Sequence, residues 1–462
     1  MLYILIAVAA IVAVGYFIYK KVHAASAIFA VGVLLLMIAA ATGRVDHAAA
    51  KIEPSGNAFY DELLVVESLF KSRFSGTGMA IMVLFGFVGY MSHIGADAKT
   101  VVALSRPLRR FHGSYWLVPL GFLVGTLLSL VVPSASALSL LLVATLLPAL
   151  IAAGLTPLTV AAIIVTSSTI VPTPLEAGLI QGAELAGLSV TEFAFGSVAR
   201  ATVPALVVTA FVHMWWQWRC DRKDAEGASI SEAREDRIDD AVTRAQGLPG
   251  FYAVLPLLPL VLIIISAVLN RLGAVSFEAE ILPVTVVSLL VTMIIEAIRH
   301  RNINEAVDSL KHFFKGLGEG AGGVVALIVA AAILVEGITQ MGVIDALTTL
   351  AGGSAGAGSI IVLIFVLATG LMAVLTGSGV APYFAFSEMV PGLAAKSAID
   401  APQMLTSIWA TSNSMRQASP VNAAVLIVAG ALKVNPVEIV RRTIVPMLAA
   451  TVVSVVCAFL FI

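Results

Sequence analysis

Apolar residues run along this chain in long blocks, and the blocks are of two kinds. The first kind is uninterrupted. Positions 2–19 and 24–41 are almost wholly apolar and are separated by the basic turn Lys20-Lys21. A membrane-crossing helix needs about 20 such residues, so both are predicted spans. Further spans are predicted over 78–93, 203–218, 251–269, 281–298, 322–338 and 444–462. The stretch 44–76 starts polar and then carries Phe59, Leu63, Leu64, Val66 and Leu69, which predicts an amphipathic helix at the interface. Segments 97–111 and 299–315 mix basic residues with apolar ones such as Phe313 and Phe314, and are predicted to lie along a membrane surface.

The second kind of block is broken at its centre. The breaks fall at Pro133-Ser134-Ala135-Ser136, at 166–174, at Thr376-Gly377-Ser378-Gly379-Val380-Ala381-Pro382 and at 411–420. Backbone that stops being helical at membrane depth leaves N–H and C=O groups that only protein or a watery cavity can satisfy. Each break is therefore a binding-site candidate.

The breaks come in matching pairs. Ser134-Ala135-Ser136 lies about 243 positions before Gly377-Ser378-Gly379, Thr166-Ser167 lies 245 before Thr411-Ser412, and Pro204 lies 242 before Pro446. Each half has the same order: span, polar connector, helix, Ser/Gly break, helix, helix, Ser/Pro break, helix, final span. This is the pattern of carriers built from two related halves, in which the interrupted segments mark the site. If each Ser/Gly break is the tip of a re-entrant hairpin and each Ser/Pro break an unwound point within a crossing, ten crossings and two hairpins result. The inside loops, Arg441 and Arg442 among them, then hold 19 of the 27 Lys and Arg, as the positive-inside rule requires. The first hairpin opens inward and the second outward. The expected fold is thus an all-α polytopic membrane protein with two inverted-topology repeats. Its parts are 1–76 (first scaffold spans), 77–218 (repeat one), 219–249 (a hydrophilic cytoplasmic linker), 250–316 (central spans) and 317–462 (repeat two).

Composition agrees. The chain is 59% hydrophobic and 12% charged, with mean hydropathy +1.00; soluble domains carry about 25% charged residues. A net charge of -1 offers nothing to nucleic acid. Cys220 and Cys457 have no metal spacing and imply no disulfide framework. The first apolar block has neither a basic lead nor a cleavage site and is read as a retained span.

The chemistry lies in the breaks. Ser134, Ser136, Ser167, Ser168, Thr376, Ser378 and Ser412 offer hydroxyls, Gly377 and Gly379 offer open backbone, and Asn413 offers an amide. Thr169, Ser414 and Ser419 add further hydroxyls. A lone Ser or Thr in an apolar helix usually bonds back to the preceding turn. The matching of four breaks is what singles these out. Helix N-termini that begin after each break favour anions. Arg416 is the sharpest residue, because a charge at the bilayer centre costs about 2.5–3.5 kcal/mol on insertion scales. A carboxylate is the natural bidentate partner, and an internal acid or hairpin carbonyls are the alternative. Glu388 and Glu176 are candidate proton carriers, with a structural ion pair as the competing role. Beside no break is there a nucleophile–base pair or a metal-ligand set, so neither an enzyme nor a metal site is expected. No cofactor is expected beyond protons or a sodium ion as coupling ion.

At these residues the sequence resembles the anaerobic four-carbon dicarboxylate carriers of the DcuC type. The matching stretches are 86–96, 141–148, Thr376-Gly377-Ser378-Gly379 with Ala381-Pro382, Glu388-Met389, Ser412-Asn413 with Arg416, Ser419-Pro420-Val421, and Arg442-Thr443 with Val445-Pro446. The chain departs from the pattern at Val380, Pro133 and Gly178. The resemblance implies a multi-pass carrier of succinate, fumarate or malate in the bacterial cytoplasmic (inner) membrane. It also implies membership of the larger ion-transporter superfamily, in which a transport domain slides against a scaffold in an elevator-type cycle. The expected function is secondary active dicarboxylate transport coupled to protons or sodium, or by exchange, with membrane lipid around the protein and a homodimer as the expected assembly. A cation/proton antiporter, or a carrier of another organic anion, is the alternative. The antiporter would share the breaks but has no need of Arg416.

Overall fold

The computed structural model describes residues 2–20, 22–44, 52–105, 114–132, 134–225, 247–277, 279–343, 346, 349, 357–396 and 399–462. Pro133 and most of the predicted linker lie outside the described residues. All regular elements among the described residues are helical. In chain order they are α1 Leu2–Tyr19, α2 Ala24–Thr42, α3 Ala58–Arg73, α4 Met79–His93, α5 Ala96–Ser105, α6 Leu117–Leu128 and α7 Ala135–Ala152. Next come α8 Pro157–Thr166, α9 Ala177–Ala186, α10 Ala199–Ala225, α11 Leu258–Arg271, α12 Ile281–His300, α13 Ile303–Asp308 and α14 Leu310–Gly320. The chain ends with α15 Ala326–Gln340, α16 Ala357–Thr376, α17 Val380–Ser387, α18 Val390–Lys396, α19 Ala401–Met415, α20 Ala423–Leu432 and α21 Pro436–Phe461. Among the described residues nine helical stretches are long and apolar enough to cross a membrane, and three shorter apolar helices accompany them.

Two predicted surface helices join the spans that follow them. Ala58–His93 is one continuous helical stretch, and so is Ile303–Gln340. Each passes through one wide turn, Phe74–Gly78 and Ala321–Val325, 247 positions apart. At the first turn Gly76 leaves helical geometry (φ -90°, ψ -115°), which marks a kink. Gly78 closes it, since a Cβ there would lie 2.2 Å from the Arg73 carbonyl oxygen. An extra residue in one turn keeps the backbone bonds nearly continuous while redirecting the helix. Periodicity therefore sees two segments where the structure has one.

The broken segments are short for a physical reason. At 1.5 Å per residue the 12 residues of α6 extend about 18 Å, well under the ~30 Å hydrocarbon thickness. α8, α9 and α20 have 10 residues each, and α17 has 8. Local capping starts them after each break. Ser134 Oγ accepts from Ala137 N (3.3 Å) and Ser378 Oγ from Ala381 N (3.3 Å). Glu176 Oε2 accepts from Leu179 N (2.9 Å) and Asn422 Oδ1 from Ala424 N (2.8 Å). An N-cap acceptor satisfies one of the orphan donors of a helix start.

The two halves also pack alike. α9 lies on α17 and α19, while α20 lies on α7 and α8. The long helices α10 and α21 pack against each other along their lengths, as do α4 with α14 and α2 with α15. Glycines allow the closest approaches: a Cβ on Gly32 would meet the Leu334 backbone nitrogen at 2.7 Å, and one on Gly316 the Phe85 carbonyl oxygen at 2.5 Å. Small residues at such crossings bring in backbone contact and dispersion, which stand in for the hydrophobic drive that lipid cannot supply.

Candidate functional site

The breaks of the second half are tied together by their own backbone. Gly377 sits at φ +68°, and a Cβ there would lie 2.7 Å from Asn422 N. Its carbonyl accepts from Asn422 Nδ2 at 2.8 Å. Thr376 Oγ1 accepts from Ser378 N at 3.2 Å, and Ser412 Oγ donates to the Gly379 carbonyl. Gly379 in turn leaves room for its neighbours, since a Cβ there would meet Arg416 Cδ at 2.8 Å and Asn413 Oδ1 at 3.0 Å. The structure thus brings Gly377, Gly379, Ser412, Asn413 and Arg416 into one cluster.

Arg416 bridges the two halves. Its Nη2 donates to the Ser168 carbonyl (2.9 Å) and to Ser168 Oγ (3.2 Å). Gln417 Nε2 donates to the same carbonyl at 2.6 Å. Arg416 Nε is buried without a hydrogen-bond partner, and among the described residues no carboxylate forms an ion pair with it.

A cavity of about 120 Å³ opens beside this guanidinium. One water needs only ~10–15 Å³, so the space suits a small organic solute. Ser168, Gly379, Asn413, Arg416 and Glu176 line it. Glu176 Oε2 also accepts from Trp409 Nε1 at 2.9 Å. Two further buried polar atoms belong to residues that line the cavity and have no partner, Thr169 Oγ1 and Tyr383 OH. An unpaired buried polar atom costs about 1–3 kcal/mol, so a polar group entering the cavity would relieve that cost here.

Other sequence-predicted residues stand elsewhere. Ser134 is exposed and Ser136 half-buried, and neither lines the cavity; the segment just after α6 reaches it through Ser129, Leu130 and Val131. Ser167 is buried, bonds back to the Ile163 carbonyl at 2.9 Å, and packs where a Cβ on Gly125 would clash with it. Thr376 and Ser378 act on the backbone of the break between α16 and α17. Glu388 lies away from the cavity. Its Oε2 meets Arg73 Nη2 at 2.5 Å and its Oε1 accepts from Gln181 Nε2 at 2.5 Å. Arg73 Nη1 also meets Glu184 Oε1 at 3.0 Å.

Sequence reasoning missed Ser129, Thr173, Tyr383 and Trp409 on the cavity wall. A Trp within the Ser/Thr-rich stretch that leads to Arg416 was the available signal for Trp409. It also placed Arg442 in a loop, yet Arg442 is buried. Its Nη1 meets Asp221 Oδ1 and its Nη2 meets Asp224 Oδ2, both at 2.5 Å. Asp221 further accepts from Tyr115, Thr156 and Thr159. α10 carries these two acids past residue 218, into the segment read as linker, because they have a partner on α21. Thr443, next in sequence, donates to the Gln417 carbonyl at 2.7 Å and so fixes the turn that holds Arg416.

A largely apolar cavity with a guanidinium, a carboxylate and an amide on its wall, at the meeting of broken helices inside an all-helical multi-span chain, defines a membrane solute carrier. The chain belongs to the family of C4-dicarboxylate anaerobic carriers, DcuC, which it matches over residues 2–462. It is 34% identical to the anaerobic C4-dicarboxylate transporter DcuC of Escherichia coli K12, over 99% of this chain and 96% of that one. It is 32% identical to a probable anaerobic C4-dicarboxylate transporter DcuC of Vibrio cholerae, over 99% and 97%. A putative uncharacterized transporter of Haemophilus influenzae is 24% identical over 58% of this chain and 92% of its own length. The family and these relatives are transporters and not enzymes. With its membrane-length helices the chain is a multi-pass protein of the bacterial inner membrane.

Proposed function

We propose that this protein is a secondary active transporter of four-carbon dicarboxylates, and that the cavity beside Arg416 is its substrate site. The observation that carries the reading is Arg416 itself: a guanidinium on a cavity wall, anchored by Nη2 to Ser168, with Nε buried and unpaired and no acid partner among the described residues. Glu176 shares the cavity wall but lies outside ion-pair distance of Arg416; a buried charge without a directly bonded counter-ion is costly, and a substrate carboxylate offsets that cost. The relatives named for C4-dicarboxylate transport supply the substrate class.

Coupling to protons follows from Glu176, which lines the same cavity and is held by Trp409 and the Leu179 amide. A dianion entering next to an ionised Glu176 meets repulsion, so substrate and proton arrive together. The two halves are repeats, a reading supported by the paired caps and the matched wide turns, and the loop charge count makes them inverted. α1–α4 and α11–α15 form a scaffold, while α6–α10 and α16–α21 form the body that moves against it, in the manner of an elevator. Two copies associate through scaffold helices, which chemical cross-linking in native membranes tests.

The test is uptake of radiolabelled succinate, fumarate and malate into proteoliposomes under imposed proton or sodium gradients. Saturable uptake driven by an inward proton gradient is the expected result. A cation-driven pH change that needs no dicarboxylate would overturn the reading in favour of an antiporter.

A further inference from the structure

We propose that Arg73 is the latch of the transport cycle, an ion-pairing arginine that holds the moving body against the scaffold and keeps one mouth of the carrier shut in the conformer described here. The proposal rests on the two-body part of the reading above. Arg73 ends α3, a scaffold helix, and its two terminal nitrogens reach two carboxylates on the other body: Glu388 after α17 at 2.5 Å and Glu184 on α9 at 3.0 Å. Gln181 of α9 fixes the second oxygen of Glu388 at 2.5 Å. The Glu388 side chain is 4% exposed and that of Arg73 18%, so the pair is largely shielded from water. A body that slides along the scaffold cannot keep both contacts. They belong to one state of the cycle.

Position supports the role. Arg73 stands immediately before the kink at Phe74–Gly78, whereas Leu84, Phe87, Val88 and Met91 of α4 line the cavity. At 1.5 Å per residue, Arg73 and Val88 are roughly 20 Å apart along the helix. The cluster therefore closes the end of the molecule opposite the cavity's α4 wall, the outer end in the orientation given by the charge count. The other half has no equivalent. By the repeat offsets the counterparts of Arg73, Glu184 and Glu388 are Gly320, Gly430 and Thr145, none of them charged. The latch is one-sided, and it biases the resting carrier towards the state closed on that side.

The experiment follows the accessibility of a reporter and uses no substrate. In full-length protein with Cys220→Ala and Cys457→Ala, Val380→Cys on the cavity wall is labelled by a membrane-impermeant maleimide in right-side-out and in inside-out vesicles. Arg73→Gln is expected to raise the outer-face labelling rate relative to the inner by about ten-fold, the change that a shift of 1.4 kcal/mol in a two-state balance yields. Glu388→Gln reproduces the change, and Glu184→Gln, at the more exposed arm of the fork, gives a smaller one in the same direction. Arg73→Lys keeps the charge but cannot hold both carboxylates at once, so its rate falls between the parent and Arg73→Gln. Unchanged labelling from both faces in Glu388→Gln and Glu184→Gln, with melting temperatures matching the parent, overturns the latch. Failure of succinate uptake overturns the substrate reading instead and leaves this measurement standing.

Discussion

Replacing Arg416 by Gln is the most direct challenge to the substrate site. Gln is shorter and neutral, so it loses the charge and also the reach to the Ser168 carbonyl (2.9 Å) and Ser168 Oγ (3.2 Å). Truncating one partner of a buried, hydrogen-bonded charge pair costs about 2–5 kcal/mol. At 1.4 kcal/mol per decade this is a loss of succinate affinity between ~30-fold and ~4000-fold. Arg416→Lys keeps the charge and gives up the forked geometry, so its loss is nearer a single charge-assisted hydrogen bond, about 1.5–3 kcal/mol or roughly 10- to 150-fold. Isothermal titration of detergent-purified protein with succinate reads both, and a thermal melt checks that the turn at 416–418 is intact. The order parent, Lys, Gln is the expected one. Succinate affinity within three-fold of the parent in a folded Arg416→Gln protein refutes the role given to this residue.

Three further outcomes are expected. Glu176→Gln keeps an oxygen for the Trp409 and Leu179 bonds but cannot carry a proton, so it should bind succinate and exchange it while uptake no longer responds to an imposed proton gradient; uptake still driven by that gradient would exclude Glu176 as the carrier. Gly377→Ala forces a side chain into φ +68° and to 2.7 Å from Asn422 N, a strain of about 1–3 kcal/mol, so it should lower the melting temperature and stop transport, whereas Gly430→Ala, which has open space around it, should match the parent. Arg442→Met strands buried Asp221 without its counter-ion, at a cost of about 3–5 kcal/mol for a buried pair broken on one side, while Asp224 keeps Arg441 at 3.0 Å, and the double variant that adds Asp221→Asn should recover much of the lost melting temperature.

Much of this protein can be read directly from its sequence because the membrane restricts the choices. Lipid offers no hydrogen bonds, so apolar runs must be helices and every Gly, Ser or Pro break must be covered by protein or water. That argument located the breaks but set the last one too early, since Thr411–Met415 stay in α19 and the helix gives way only at the Arg416–Ala418 turn, and the cost of an intramembrane charge located Arg416 before any contact was known. Local capping is equally legible, since Ser134, Ser378, Glu176 and Asn422 each act within three residues of themselves. The same logic applied to Arg442 would have found a second buried charge, but its nearness to the start of the last span let it pass for a loop residue.

What the sequence could not show is which distant groups meet. Arg73 and Glu388 are 315 positions apart, Arg442 and Asp221 are 221 apart, and Trp409 and Glu176 are 233 apart. No periodicity links such pairs, because each depends on how helices cross and on which glycines let them approach. The chain by itself determined that it crosses a membrane, roughly where its helices break and that Arg416 lies within the bilayer. Only the tertiary structure decided that Glu176 stands with Arg416 at one cavity while Glu388 stands with Arg73 at another boundary, since side chains similar in sequence context were separated by the packing of the helices that carry them.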